Sequence, residues 1–262
     1  MLKADQLQQD PRVLAAKETL LEAVREHSAS ITGPKAPDPN LAHKFEAQAE
    51  ESTAVRGRGL ALPYLASGLG NGAWVELTDG SVKLDFISGI GVHILGHSHP
   101  LIVESGIDAA LTDTVMQGNL QMGYDSIELG RLLLDLANQE GADLGHCFLS
   151  TSGAMANENA LKVAFQAKAP ATRVLAFEGA FAGRSMATAQ ITARAAYRKG
   201  LPSTLSVDRV PYFDHRDPEA STRAALQAID GHLSKFPGEH ALMVVEPILG
   251  EGGFYPGNSA YF

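Results

Sequence analysis

From His146 onward short apolar runs alternate with segments of helical spacing. The apolar runs are HCFLST (146–151), RVLAFEG (173–179) and ALMVVEP (241–247). The last is apolar without alternation, as in a strand buried on both faces of a parallel sheet. Parallel neighbours need a crossover between them, and the spacing here leaves room for a helix each time. This alternation therefore predicts an α/β chain, a largely parallel sheet covered by helices. It also makes the loops after the strands the place to look for a ligand, because open α/β sheets bind beyond the carboxyl ends of their strands.

The first part of the chain reads differently. Asp10-Pro11 places a capping side chain before a proline, and predicts a polar amphipathic helix to about Ser28. ITGPKAPDPN (31–40) has three prolines in ten residues and reads as a linker or extended arm. In AWVELTDGSVKLDFISG (73–89) two alternating runs flank Asp79-Gly80, a strong hairpin signal. Pro100 predicts a helix to about Thr112, and Asp125-Ser126-Ile127-Glu128 a second with Leu129, Leu132, Leu133 and Leu136 on one face. Residues 1–95 read as an arm, helix and hairpin of a smaller α+β domain, and residues 96–262 as an incomplete larger α/β domain.

Three strand exits carry the candidate chemistry: STSGA (150–154), FEGAFAGR (177–184) and EPILGEGG (246–253). The first opens into a helix, ANENALKVAF. A helix N-terminus presents unpaired N–H groups and a positive partial charge, and small residues let an anion reach them. Glu158 and Lys162 stand four apart and are expected to pair on that helix. No Gly-Lys-Ser/Thr follows, so this is not a Walker loop. Phe181 offers a flat face for stacking, and Glu246 and Glu251 bring carboxylates to the same crevice. Phosphate plus flat ring suggests a nucleotide or a phosphorylated heteroaromatic cofactor. Each piece has a plainer reading: a tight turn with a cap, a core phenylalanine, and solvated or arginine-paired acids.

Taken together, these segments resemble the class III, fold-type-I pyridoxal-phosphate aminotransferases, from about Leu60 to Phe262. LDFISGIGVHILGHSHP (84–100), STSGAMANENALKVAF (150–165), FEGAFAGRS (177–185) and VEPILGEGG (245–253) match the family's pieces in the family's order. The resemblance implies pyridoxal 5′-phosphate as cofactor. Its phosphate would lie on the N–H groups of Gly153 and Ala154 with Ser152 nearby, its ring against Phe181, with Glu246 in support. Glu251 would stand in the substrate pocket. It implies transfer of an amino group from an ω- or α-amino donor to a 2-oxo acid or aldehyde, by a homodimer. Ala182 stands where the family often has His, and Leu249 where Gln is common. The family's Schiff-base lysine and the aspartate that pairs with the pyridinium nitrogen are expected beyond Phe262. None of the nine lysines has that context, and Lys162 is expected on the helix surface. The chain thus reads as a truncated, N-terminal portion that contains no catalytic residue and is inactive alone, with an exposed sheet edge and poor solubility.

Charge and composition narrow the rest. A net charge of −9 argues against non-specific nucleic-acid binding. No apolar run is long enough for a membrane span, and MLKADQLQQDPRV lacks a signal-peptide core. The single cysteine, Cys147, allows no internal disulfide and fits a reducing cytoplasm. His93, His97 and His99 have metal-like spacing but no carboxylate among them in sequence, and no metal site is expected. Two other readings stand beside the aminotransferase: a non-catalytic short relative acting as a binding or partner subunit, and an unrelated nucleotide-binding α/β protein.

Overall fold

Three Xaa-Pro pairs start three helices, as their chemistry demands. Asp10 accepts a hydrogen bond from the Arg12 amide at 2.9 Å, His99 from Leu101, and Asp217 from Ala220. In each case proline follows, with its φ preset for the first turn. The computed structural model describes residues 1–62, 64–112 and 122–262, and the chain packs as two units, Met1–Gly123 and Tyr124–Phe262.

In the first unit, α1 (Lys3–Gln8), α2 (Pro11–Ala29) and α3 (Ala42–Arg56) precede an antiparallel sheet in the order β1-β2-β3. Its strands are β1 (Ala66–Asn71), β2 (Trp74–Leu77) and β3 (Val82–Leu84). Asp79-Gly80 makes the β2–β3 turn: Asp79 accepts from the Ser81 amide at 2.8 Å and Gly80 takes φ 75°. A distorted single turn, α4 (Ser88–Gly91), then leads to α5 (Pro100–Ala110). Lys17 of α2 reaches Glu104 and Asp108 of α5, both at 3.1 Å. The histidine run is engaged locally. His97 meets Asp85 at 2.7 Å, and the His93 ring stacks on it with centroids 4.5 Å apart. Burial pushes the Asp85 carboxyl up, but hydrogen bonds from His97 and the Ser88 and Ile87 amides outweigh it and hold the group below its usual range. Among the described residues no group of three or more His, Cys, Asp or Glu is arranged to hold a metal ion.

The second unit contains α6 (Tyr124–Asn138), α7 (Gly153–Ala167), β4 (Arg173–Phe177), a one-turn α8 (Thr188–Ile191), β5 (Ser206–Val210), α9 (Pro218–Lys235) and β6 (His240–Val244). The sheet is parallel, ordered β5-β4-β6. Alternate residues of β4 feed two cores. Val174 and Ala176 pack with Leu161 of α7 and Ile191 of α8, while Leu175 and Phe177 pack with Val210 and with Ala225 of α9. A short ribbon, β7 (Ile248–Leu249) with β8 (Tyr255–Pro256), follows β6.

Two sequence expectations fail here. HCFLST forms no strand: Phe148 is 69% exposed and the run has no ladder partner among the described residues. An apolar, β-prone run becomes a strand only when an open edge lies beside it. β4 is flanked by β5 and β6, and the run pairs with neither outer edge of the sheet. Glu158, expected to pair with Lys162, instead accepts a hydrogen bond from Ser185 at 2.5 Å. Lys162 is exposed on α7, as expected. No described helix is long and apolar enough to cross a membrane.

Candidate functional site

The sequence makes the start of α7 unusually bare. Ser152 is its N-cap, with extended φ/ψ, and its Oγ accepts from the Met155 amide at 3.2 Å. That bond leaves the Gly153 and Ala154 amides without a capping side chain. Gly153 is exposed, and a Cβ built there would meet nothing within 4 Å. This end of the helix is open, positive in partial charge and free of bulk.

The loop after β4 is fastened beside it. Asn157, one turn into α7, donates to the Ala182 carbonyl at 2.8 Å. Gly183 has φ 132°, and a Cβ on it would lie 2.8 Å from the Ala154 Cβ. Only glycine allows the chain to pass so close to the helix start. Phe181 is half-buried, with its ring edge-on to Tyr197 at 5.9 Å.

The loop after β6 closes onto the same place. Glu246 uses both oxygens on backbone. Oε1 accepts from the Phe181 amide at 2.9 Å and Oε2 from the Gly250 amide at 3.1 Å. A Cβ on Gly252 would stand 2.6 Å from the Gly179 carbonyl oxygen, so this loop lies directly on the preceding one. Glu251 is exposed; it accepts from the Tyr197 hydroxyl at 2.9 Å, with Arg194 3.9 Å away.

The structure therefore brings Ser152, Gly153 and Ala154, at the start of α7, beside the loops at the carboxyl ends of β4 and β6 that carry Phe181, Glu246 and Glu251. Ala182 and Leu249, where the chain departs from the pattern it resembles, are both buried. Ala182 belongs to the core cluster around Val174. Three residues escaped the sequence reading. Asn157 lies one turn after Gly153, where a side chain reaching back across α7 could have been anticipated. Tyr197 and Arg194 meet Glu251 from more than fifty residues away, and no local pattern announces that contact.

The fold is that of an α/β protein with a parallel sheet, an open helix start and an aromatic loop set beside it. The chain belongs to the class-III aminotransferases, whose family pattern it matches over residues 57–262. It is 34% identical over 198 residues to acetylornithine aminotransferase 1 of Bradyrhizobium diazoefficiens, covering 73% of this chain and 44% of that one. It is 35% identical over 193 residues to the acetylornithine aminotransferase of Brucella melitensis, covering 70% and 42%. The lysine aminotransferase of M. tuberculosis superposes with TM-score 0.65 at 26% identity, over 81% of this chain and 55% of that one. A taurine:2-oxoglutarate aminotransferase from Bifidobacterium kashiwanohense shares the fold, with TM-score 0.67 at 20% identity, over 80% and 51%. The chain spans less than half the length of the curated relatives it matches.

Proposed function

We propose that this chain supplies the phosphate-and-ring side of a pyridoxal 5′-phosphate site. The enzyme it belongs to moves an amino group from an amino donor to a 2-oxo acid or aldehyde. One observation carries the reading: the bare start of α7 lies against the loop that presents Phe181. In this reading the Gly153 and Ala154 amides, with Ser152 beside them, bind the phosphate dianion. Phe181 covers one face of the ring, and Glu246 fixes both flanking loops through their amides. Glu251, held by Tyr197, stands on the substrate side. When bound, the cofactor supplies an electron sink for the carbanion left as the amino donor loses a proton. No residue of this chain is given the role of covalent attachment. The curated relatives act on acetylornithine, which favours a donor whose reacting amine is remote from its carboxylate. With the reading go a homodimer and a reducing compartment. The exposed apolar side chains Phe86, Ile90 and Ile94 and the unpaired Cys147 support these assignments.

The test uses pyridoxamine 5′-phosphate, which carries phosphate and ring but no aldehyde, so it cannot bond to the chain's lysines. Titration calorimetry should show it binding more tightly than ATP or NAD. Gly153→Glu should abolish that binding by placing a negative charge in the anion cradle, and should fold because the space there is open. Tighter ATP or NAD binding, or a Gly153→Glu variant that binds as wild type, overturns the proposal.

A further inference from the structure

Phe181 is held in a closed loop. The Ala193 amide donates to the Ala180 carbonyl at 2.7 Å. Thr192 Oγ1 accepts from the Ala182 amide at 3.1 Å and donates to the Gly183 carbonyl at 2.8 Å. Phe181 thus sits between two residues tied across the neck of the 180–193 segment. Thr192 is fully buried, so its hydroxyl can keep both partners only if the backbone at 190–193 is fixed.

The group that fixes it comes from β5. The half-buried Arg209 spends its guanidinium donors on main-chain carbonyls. It bonds Ile191 and, at 2.7 Å, Gln190, the last carbonyls of α8, and also Thr192 at 3.2 Å and Phe177 at 3.3 Å. The final carbonyls of a helix have no partner within it, and a short turn such as α8 would otherwise leave them unpaired in a buried place. Arg198 adds a second donor to Thr192 O at 2.6 Å. Burial pushes the Arg209 guanidinium below its usual value. A half-buried cation placed on carbonyls, with no carboxylate among its hydrogen-bond partners, uses the forked donor geometry of arginine more than its charge.

We propose that Arg209 is the positioning residue of the aromatic loop. Through Thr192 it sets the orientation of Phe181, and so the stacking face of the site, without touching any ligand. The proposal rests on the cofactor reading above for its consequence, but the link from Arg209 to the loop stands independently.

The decisive variant is Arg209→Lys, which keeps the charge and loses the fork. Hydrogen exchange should accelerate about tenfold at 180–193, with β4 and β6 unchanged. The dissociation constant for pyridoxamine 5′-phosphate should rise about tenfold, and the induced circular dichroism of the bound ring should fall. A purely structural role would not selectively alter that ellipticity. Thr192→Val removes the same link one step downstream and should reproduce all three effects; it decides the matter if Arg209→Lys does not fold. Wild-type exchange at 180–193, uniform loosening of the whole sheet, or selective loosening with unchanged ellipticity would each overturn the proposal. If the unaltered protein binds no pyridoxamine 5′-phosphate, the cofactor reading falls and the exchange comparison still decides whether Arg209 holds the loop.

Discussion

At the scale of single residues, Glu246 shows how one side chain can fasten two loops of the candidate site together. Its two oxygens each accept one backbone N–H, from Phe181 and Gly250. A carboxylate can do this because it is acceptor-only; an amide offers one oxygen and one NH₂. Glu246→Gln must set a donor against a donor at one of the two loops. It should lower stability by about 1–3 kcal/mol, the cost of leaving such a group unsatisfied. Urea unfolding of the two proteins measures it, and coincident curves would mean that the loops hold themselves. The sequence picks out Glu246 and Glu251 because carboxylates after a strand stand out among glycines and prolines. Tyr197 carries no such mark. Its importance is a distance across the fold, from Glu251 on one loop to Phe181 on another.

At the scale of elements, legibility follows how local the cause is. Helix starts are set by a proline and the cap before it, and so the starts at Pro11 and Pro100 could be placed closely. The Asp79-Gly80 hairpin is equally local. Strand β5 is not: SVDRV puts Asp208 and Arg209 in a strand, and neither charge reads as buried until Arg173, His240 and the α8 carbonyls supply their partners. HCFLST fails for the opposite reason, since its composition suits a strand but it lies along no strand of the sheet among the described residues. The contact between α7 and the 180s loop yields a test at this scale. Gly183→Ala would set a Cβ 2.6 Å from the buried Thr188 Oγ1, at a φ of 132°. It should cost about 1–3 kcal/mol from overpacking alone, with backbone strain in addition. Gly153→Ala, in open space at a helix start, should cost nothing or stabilise slightly. Calorimetric melts of the pair should separate clearly, and equal melting temperatures would contradict the close packing of loop on helix.

At the scale of the whole molecule, stability and the candidate site draw on different ends of the parallel sheet. The loops occupy the carboxyl ends of the strands. Toward the amino ends, Asp208 accepts two hydrogen bonds from Arg173, at 2.8 and 2.7 Å, and meets His240 at 2.8 Å. Arg173 in turn lies 3.4 Å over the Phe236 ring. The Arg173 guanidinium, with help from His240 and against the effect of burial, holds the Asp208 carboxyl down at about 2. An unfolded aspartate titrates near 3.9, so the folded form binds its proton less readily. The stabilisation is complete above about pH 4 and is lost as pH falls toward 2. Asp208→Asn should therefore be less stable than wild type at neutral pH by about 3 kcal/mol, because Arg173 and His240 are left without their anion. It should also lack this acid-dependent loss. The choice of probe matters, because the only tryptophan, Trp74, lies in the first unit, where the Asp85 carboxyl is itself held below its usual range. The Phe177, Tyr212 and Tyr261 rings pack together in the second unit, so near-ultraviolet circular dichroism of the tyrosines follows the unit that contains Asp208. Urea titrations read in this way should show the difference between wild type and Asp208→Asn shrinking steadily below about pH 4. A difference that stays constant down to pH 2.5 would show that the second unit does not depend on this ion pair.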